Sequence, residues 1–168
     1  MNKAKRLLVA ASFIFISGML SGAYAQATNT IVYKLDGQQA ARGVADTSAE
    51  TQYVNYFGSV GGPGSKAFKL KSFAQTLIYN SNGFIVGGQW TLVGTREGIN
   101  TTLSGPIAVG AQLQLGADGS IASGSYDISW LPGDPSWPVS GLFTMAVDNK
   151  SRPPKISGPL SLTFPVVQ

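Results

Sequence analysis

The stretch Lys155-Ile156-Ser157-Gly158-Pro159-Leu160-Ser161-Leu162-Thr163-Phe164-Pro165-Val166 decides the fold. Ile156, Leu160, Leu162, Phe164 and Val166 share one register with Gly158, and Ser157, Pro159, Ser161, Thr163 and Pro165 share the other. A period of two puts alternate side chains on opposite faces of an extended chain, so this segment is a strand with one core face and one solvent face. Its motif, a glycine followed by bulky apolar residues two and four positions later, occurs at Gly88 (Trp90, Leu92), Gly105 (Ile107, Val109), Gly124 (Tyr126, Ile128), Gly141 (Phe143, Met145) and Gly158 (Leu160, Leu162). Successive glycines are 17, 19, 17 and 17 residues apart, room for one strand and its turn.

Working outward, strand patterning is found over 28–36, 52–60, 66–79, 84–94, 103–115, 120–131, 137–148 and 155–167, which makes eight strands. Asn82-Gly83 and Asp118-Gly119 read as hairpin turns of type I′, and Pro132-Gly133-Asp134-Pro135 and Ser151-Arg152-Pro153-Pro154 as breaks. Short turns between successive strands make antiparallel neighbours. The expected fold class is therefore all-β: about eight antiparallel strands in a meander, closed as an up-and-down β-barrel by pairing of the first strand with the last, with a two-sheet β-sandwich as the alternative. Residues 37–51 lack strand patterning, and are expected to be the one long connection, a surface excursion or a lid with a short helix.

Residues 1–25 read as a cleaved secretory signal: Lys3, Lys5 and Arg6, an uncharged run from Leu7 to Leu20, then Ala23-Tyr24-Ala25. Residues 26–168 then form a single all-β domain, secreted or periplasmic. Three of the twelve Lys and Arg lie in the signal, which leaves nine against eight Asp and Glu. A nearly neutral domain has no electrostatic reason to bind nucleic acid or an acidic membrane. The trios Lys66, Lys69, Lys71 and Lys150, Arg152, Lys155 read as solvated faces. The chain has no cysteine and no histidine, so disulfides are excluded, and both the usual general base and the commonest zinc ligand are missing.

No catalytic motif stands out, and the chain is read as not an enzyme, with no cofactor and no metal. The glycine-rich stretch from Gly58 to Lys66 has the wrong lysine spacing for a phosphate loop and reads as a turn. Asp36, Asp118, Asp134 and Asp148 fall in or beside turns, where Asp is favoured for backbone reasons, and Asp127 lies on the solvent face of a strand. The residues singled out for ligand binding are Gly88, Trp90, Gly124, Tyr126, Trp130 and Phe143, on the reasoning that a glycine beside an inward aromatic ring leaves a gap. The competing reading of the same residues is core packing.

Gly88-Gln89-Trp90 and Asp118-Gly119-Ser120-Ile121 with Ser123-Gly124-Ser125-Tyr126 resemble the Gly-x-Trp and Gly-x-x-x-Gly-x-Tyr strands of avidin-type barrels. Wider motif spacing and three extra preceding strands set this chain apart, and no biotin-binding residue carries across. The expected function is an exported soluble barrel that holds a small apolar or amphipathic molecule inside. The alternatives are a structural or adhesive surface module whose Ser, Thr and Gln-rich outer face meets proteins or glycans, and a small outer-membrane barrel with its apolar face turned to lipid.

Overall fold

Alternation of apolar and polar residues builds strands, and only their lateral pairing decides what those strands become. A computed structural model describes residues 27–62, 68–129 and 137–166. The signal reading of 1–25, Lys66, Trp130 and the break at 132–135 lie outside the described residues. The described chain forms β1 (Thr28–Asp46), β2 (Thr51–Gly61), β3 (Phe68–Asn80), β4 (Ile85–Arg96), β5 (Ile99–Pro106), β6 (Gln114–Leu115), β7 (Ile121–Ile128), β8 (Ser140–Asp148) and β9 (Lys155–Pro165). All pairings are antiparallel, in the single-sheet order β5-β4-β3-β2-β1-β9-β8-β7-β6. There is no helix among the described residues.

The first and last strands pair as the closed-meander expectation requires, with Ile31 opposite Leu162 and Leu35 opposite Gly158. The ladder ends instead in the middle of the chain, at β5 and β6, and is not closed there. Residues 106–113 bridge the two ends: Ala108 N–H donates to Asp127 O at 3.0 Å, and Ile85 N–H to Ala111 O at 2.9 Å. Contacts across strands four and five places apart fold the sheet over its own inner face, among them Phe73 against Phe143 (β3 to β8) and Tyr126 on Gln75 (β7 to β3). The stagger of β1 contributes to this curl. It pairs with β9 along residues 28–38 but with β2 along 34–46, and such an offset tilts strands and rolls a sheet.

Four sequence expectations are corrected. Residues 37–46 are neither a lid nor a helix but the second half of β1, held by the ladder from Gly37 opposite Gly58 to Asp46 opposite Thr51. Pairing with β2 overrides the weak strand preference of Gln38-Gln39-Ala40-Ala41, at the cost of a bulge between Gln39 and Ala41. The strand expected over 103–115 is broken after Pro106, which has no N–H for the ladder, and the chain turns at Gly110 (φ +93°). That turn leaves Val109 68 % exposed, so the second apolar position of the Gly105 motif is the one that misses the core. The hairpins at Gly83 and Gly119 stand where expected but are not type I′: only the glycines have positive φ, +82° and +71°, and each donates to the carbonyl three residues back, Asn80 and Gly116. A type I turn followed by a left-handed glycine accounts for both. Finally, Asp36 is within β1 on the solvent face, not in a turn.

The inner face is one continuous core. Trp90, Leu92, Leu35, Leu77, Phe143, Ile156, Leu160 and Leu162 are fully buried within it. Each such side chain contributes about 1.5–3 kcal/mol of burial, which lets a domain without disulfides stand on packing alone. Where the sheet curls tightly, strands approach too closely for a side chain. A Cβ on Gly158 (φ +154°) would strike the carbonyl of Thr144, and one on Gly88 (φ +149°) that of Thr76.

Candidate functional site

Of the six residues selected from the sequence, the described structure places five on the inner face and sets two of them, Trp90 and Tyr126, beside one polar side chain, with Phe143 stacked on Tyr126. Tyr126 of β7 stacks on Phe143 of β8, its partner in the ladder, with ring centroids 5.7 Å apart and planes 9° apart. Trp90 of β4 stands opposite Gln75 of β3, and the Tyr126 hydroxyl donates to Gln75 Oε1. Gln75 in turn points its amide nitrogen at Met145 Sδ, 3.9 Å away. Gln75 is only 3 % exposed, and the sequence reading missed it. The signal was present, since Gln75 lies between Phe73 and Leu77 in the inward register of its strand.

The gaps expected beside the glycines are occupied by the protein itself. A Cβ on Gly124 would run into Leu113 Cδ2, and one on Gly88 would lie 3.1 Å from Ile107 Cδ1. The Trp90 indole N–H donates to Pro106 O at 3.0 Å and to Ser129 O at 3.1 Å. Burial pushes the phenols up: Tyr33 to about 12, and Tyr126 and Tyr56 further, because an ionised phenolate would lose its water there.

One end of the core is closed by polar groups. Arg42 donates to Gln52 Oε1 at 3.0 Å and to Asp118 O at 3.3 Å, while the Tyr79 hydroxyl reaches Gln52 Oε1 and Gly119 O, each at 3.3 Å. The Asp118-Gly119 turn is thereby tied over the ends of β1, β2 and β3.

Three acidic side chains, Asp46, Asp118 and Asp148, serve turns. Asp46 accepts the Ser48 hydroxyl at 2.6 Å and the Ser48 N–H at 2.8 Å; Asp118 holds Ser120 in the same way, and Asp148 accepts the Ser151 hydroxyl at 2.7 Å and the Lys150 N–H at 3.0 Å. The serine hydroxyls, followed by the backbone N–H groups, hold all three carboxyls below the usual 3.8. Asp127 is exposed, as its register predicts.

The outer face carries the open space. Two neighbouring rows run across the strands. One is Gln38, Phe57, Ala74, Thr91 and Ser104; the other is Asn55, Thr76, Gln89 and Pro106, with Ala40 at its β1 end. Three grooves follow these rows. The first, of about 430 Å³, lies between Asp36, Gln38, Phe57, Ser59 and Lys155. The second, of about 310 Å³, runs from Ala40 and Phe57 over Asn55, Ala74 and Thr76 to Gln89 and Thr91. The third, of about 370 Å³, continues from Gln89 and Thr91 to Ser104 and Pro106. Adjacent grooves share Phe57, then Gln89 and Thr91, so they form one furrow crossing the sheet from β9 to β5. Phe57 is 45 % exposed in its wall, and the buried Asn55 Oδ1 has no hydrogen-bond partner. A separate hollow of about 460 Å³ is lined by Val32, Lys34, Gly62 and Pro159.

Comparison with protein-family models, with curated proteins and with solved structures finds no match to this chain.

Proposed function

We propose that this protein is an exported, non-enzymatic binding module that works from its outer face and uses its interior for stability. One observation carries the reading: inside, the space beside the two selected glycines is filled by Leu113 and Ile107, whereas outside, a furrow lined by Ser, Thr, Asn and Gln lies open. Export rests on the signal-like residues 1–25. Aqueous surroundings are supported by the apolar face being turned in and the outer positions carrying Lys34, Asp36, Lys69, Asp127 and Lys155, the reverse of what a lipid-facing barrel needs.

The test is a native mass spectrum of the mature chain, begun at Gln26 and purified without detergent. The expected result is the bare polypeptide mass from a soluble preparation. A small molecule co-purifying with the folded chain and displaced only on unfolding would return the function to the interior. A protein soluble only in detergent would return it to the membrane.

A further inference from the structure

Resting on that outer-face reading, we infer that the furrow binds a neutral, extended glycan, with Phe57 as its stacking platform. The furrow crosses six strands, and at a strand spacing of about 4.8 Å this is a track of about 24 Å, the reach of several linked sugar rings rather than of one small molecule. Its floor across β2, β3, β4 and β5 is Asn55, Ala74, Thr76, Gln89, Thr91 and Ser104, all uncharged, and the β1 and β9 end adds one charge of each sign, Asp36 and Lys155. A track with no net charge and an uncharged β2 to β5 floor offers a charged polymer no complementary row of charges, and a neutral one lies over the floor without desolvating a charge, so charge complementarity favours a neutral occupant. Amides and hydroxyls both donate and accept, as sugar hydroxyls do, and can pair with them in either sense.

The aromatic ring supplies what hydroxyl pairing cannot. A pyranose presents a face of C–H groups, and the electron-rich face of a half-exposed phenylalanine attracts them while both shed water. Across the ladders Phe57 has the methyl group of Ala74 on one side and Gln38 on the other, and its ring is 45 % exposed. Asn55 lies next to it in the floor, with a carbonyl oxygen that has no partner of its own. A protein partner fits less well, because a stable protein interface wants a broad apolar centre, and among the described residues Phe57 is the only exposed large apolar one lining these three grooves.

Affinity electrophoresis of the mature chain tests this, in native gels containing hydroxyethylcellulose, dextran or galactomannan as neutral polymers and alginate as the anionic control. Retardation by at least one neutral polymer is expected, insensitive to added salt, weakened about tenfold or more in Phe57→Ala and kept in Phe57→Trp. Gln89→Ala should weaken it as well, with the thermal transition of each variant unchanged. No retardation in any neutral gel overturns the inference, as does retardation confined to alginate and removed by salt. Undiminished binding by Phe57→Ala, or Phe57-dependent capture of a protein with no response to any polysaccharide, overturns it too. A bare native mass with no retardation removes the glycan and leaves the outer-face reading standing; a molecule held in the core removes the outer-face reading itself.

Discussion

Gly124→Ala separates a glycine that makes room for a ligand from one that makes room for the protein. Gly124 has no positive φ, so alanine meets no backbone penalty there, and any cost is a packing cost. Its new Cβ would overlap Leu113 Cδ2, far inside ordinary carbon contact, while Leu113 is 2 % exposed and has its own N–H bonded to Gly83 O at 2.8 Å. The leucine must leave its rotamer or push the 110–113 segment off the start of β4, an overpacking expected to cost about 1–3 kcal/mol. Against a total stability of about 5–15 kcal/mol this is a large fraction, and it lowers Tm by about 4–12 °C. The assay is thermal and urea unfolding of ligand-free protein followed by circular dichroism, with Leu113→Ala and the double variant alongside. Leu113→Ala alone should cost about 2–5 kcal/mol, and the double variant should cost less than the sum by about 1–2 kcal/mol, because the added methyl enters the space the leucine vacated. A Gly124→Ala protein within about 0.5 kcal/mol of the parent, or strict additivity of the pair, would refute the reasoning and reopen the interior as a ligand space.

Two other outcomes follow from the core and the turns. Gln75→Leu leaves the Tyr126 hydroxyl buried without its acceptor and should cost about 1–3 kcal/mol in urea unfolding, whereas adding Tyr126→Phe should recover most of that loss; a double variant as unstable as Gln75→Leu contradicts this. Stability should be flat through neutral pH, since there is no histidine to titrate. Asp46, Asp118 and Asp148 have folded values below 3.8, so their contribution is present above 3.8 and is lost as pH falls through the folded values. The Tyr33 phenol is raised from 10.0 to about 12, so its contribution is present below pH 10 and is lost as pH rises towards 12. Unfolding free energies from urea titrations across the range should fall off at those two ends, and a change between pH 6 and pH 8 of more than about 0.5 kcal/mol would contradict the assignment.

The alternation in 155–166 was enough to define strands, faces and an all-β meander, because which side of a strand a residue occupies is a local property with a period of two. The same period carried the inward placement of Trp90, Tyr126 and Phe143, while the closed-meander reading supplied the pairing of β1 with β9 and the Asn-Gly and Asp-Gly pairs the hairpin positions at Gly83 and Gly119. It did not reveal that Gln39 and Ala41 belong to a strand, because that depends on Tyr56 and Asn55 lying alongside and not on their own preferences. The use of the glycines was equally out of reach: the atom that would meet a Cβ on Gly124 belongs to Leu113, and the one that would meet Gly88 belongs to Thr76. The furrow is still more a product of tertiary structure. Phe57, Thr91 and Ser104 come from three strands, and only the lateral register sets them in one row, whereas a shift of one residue in any ladder would turn one of them to the core.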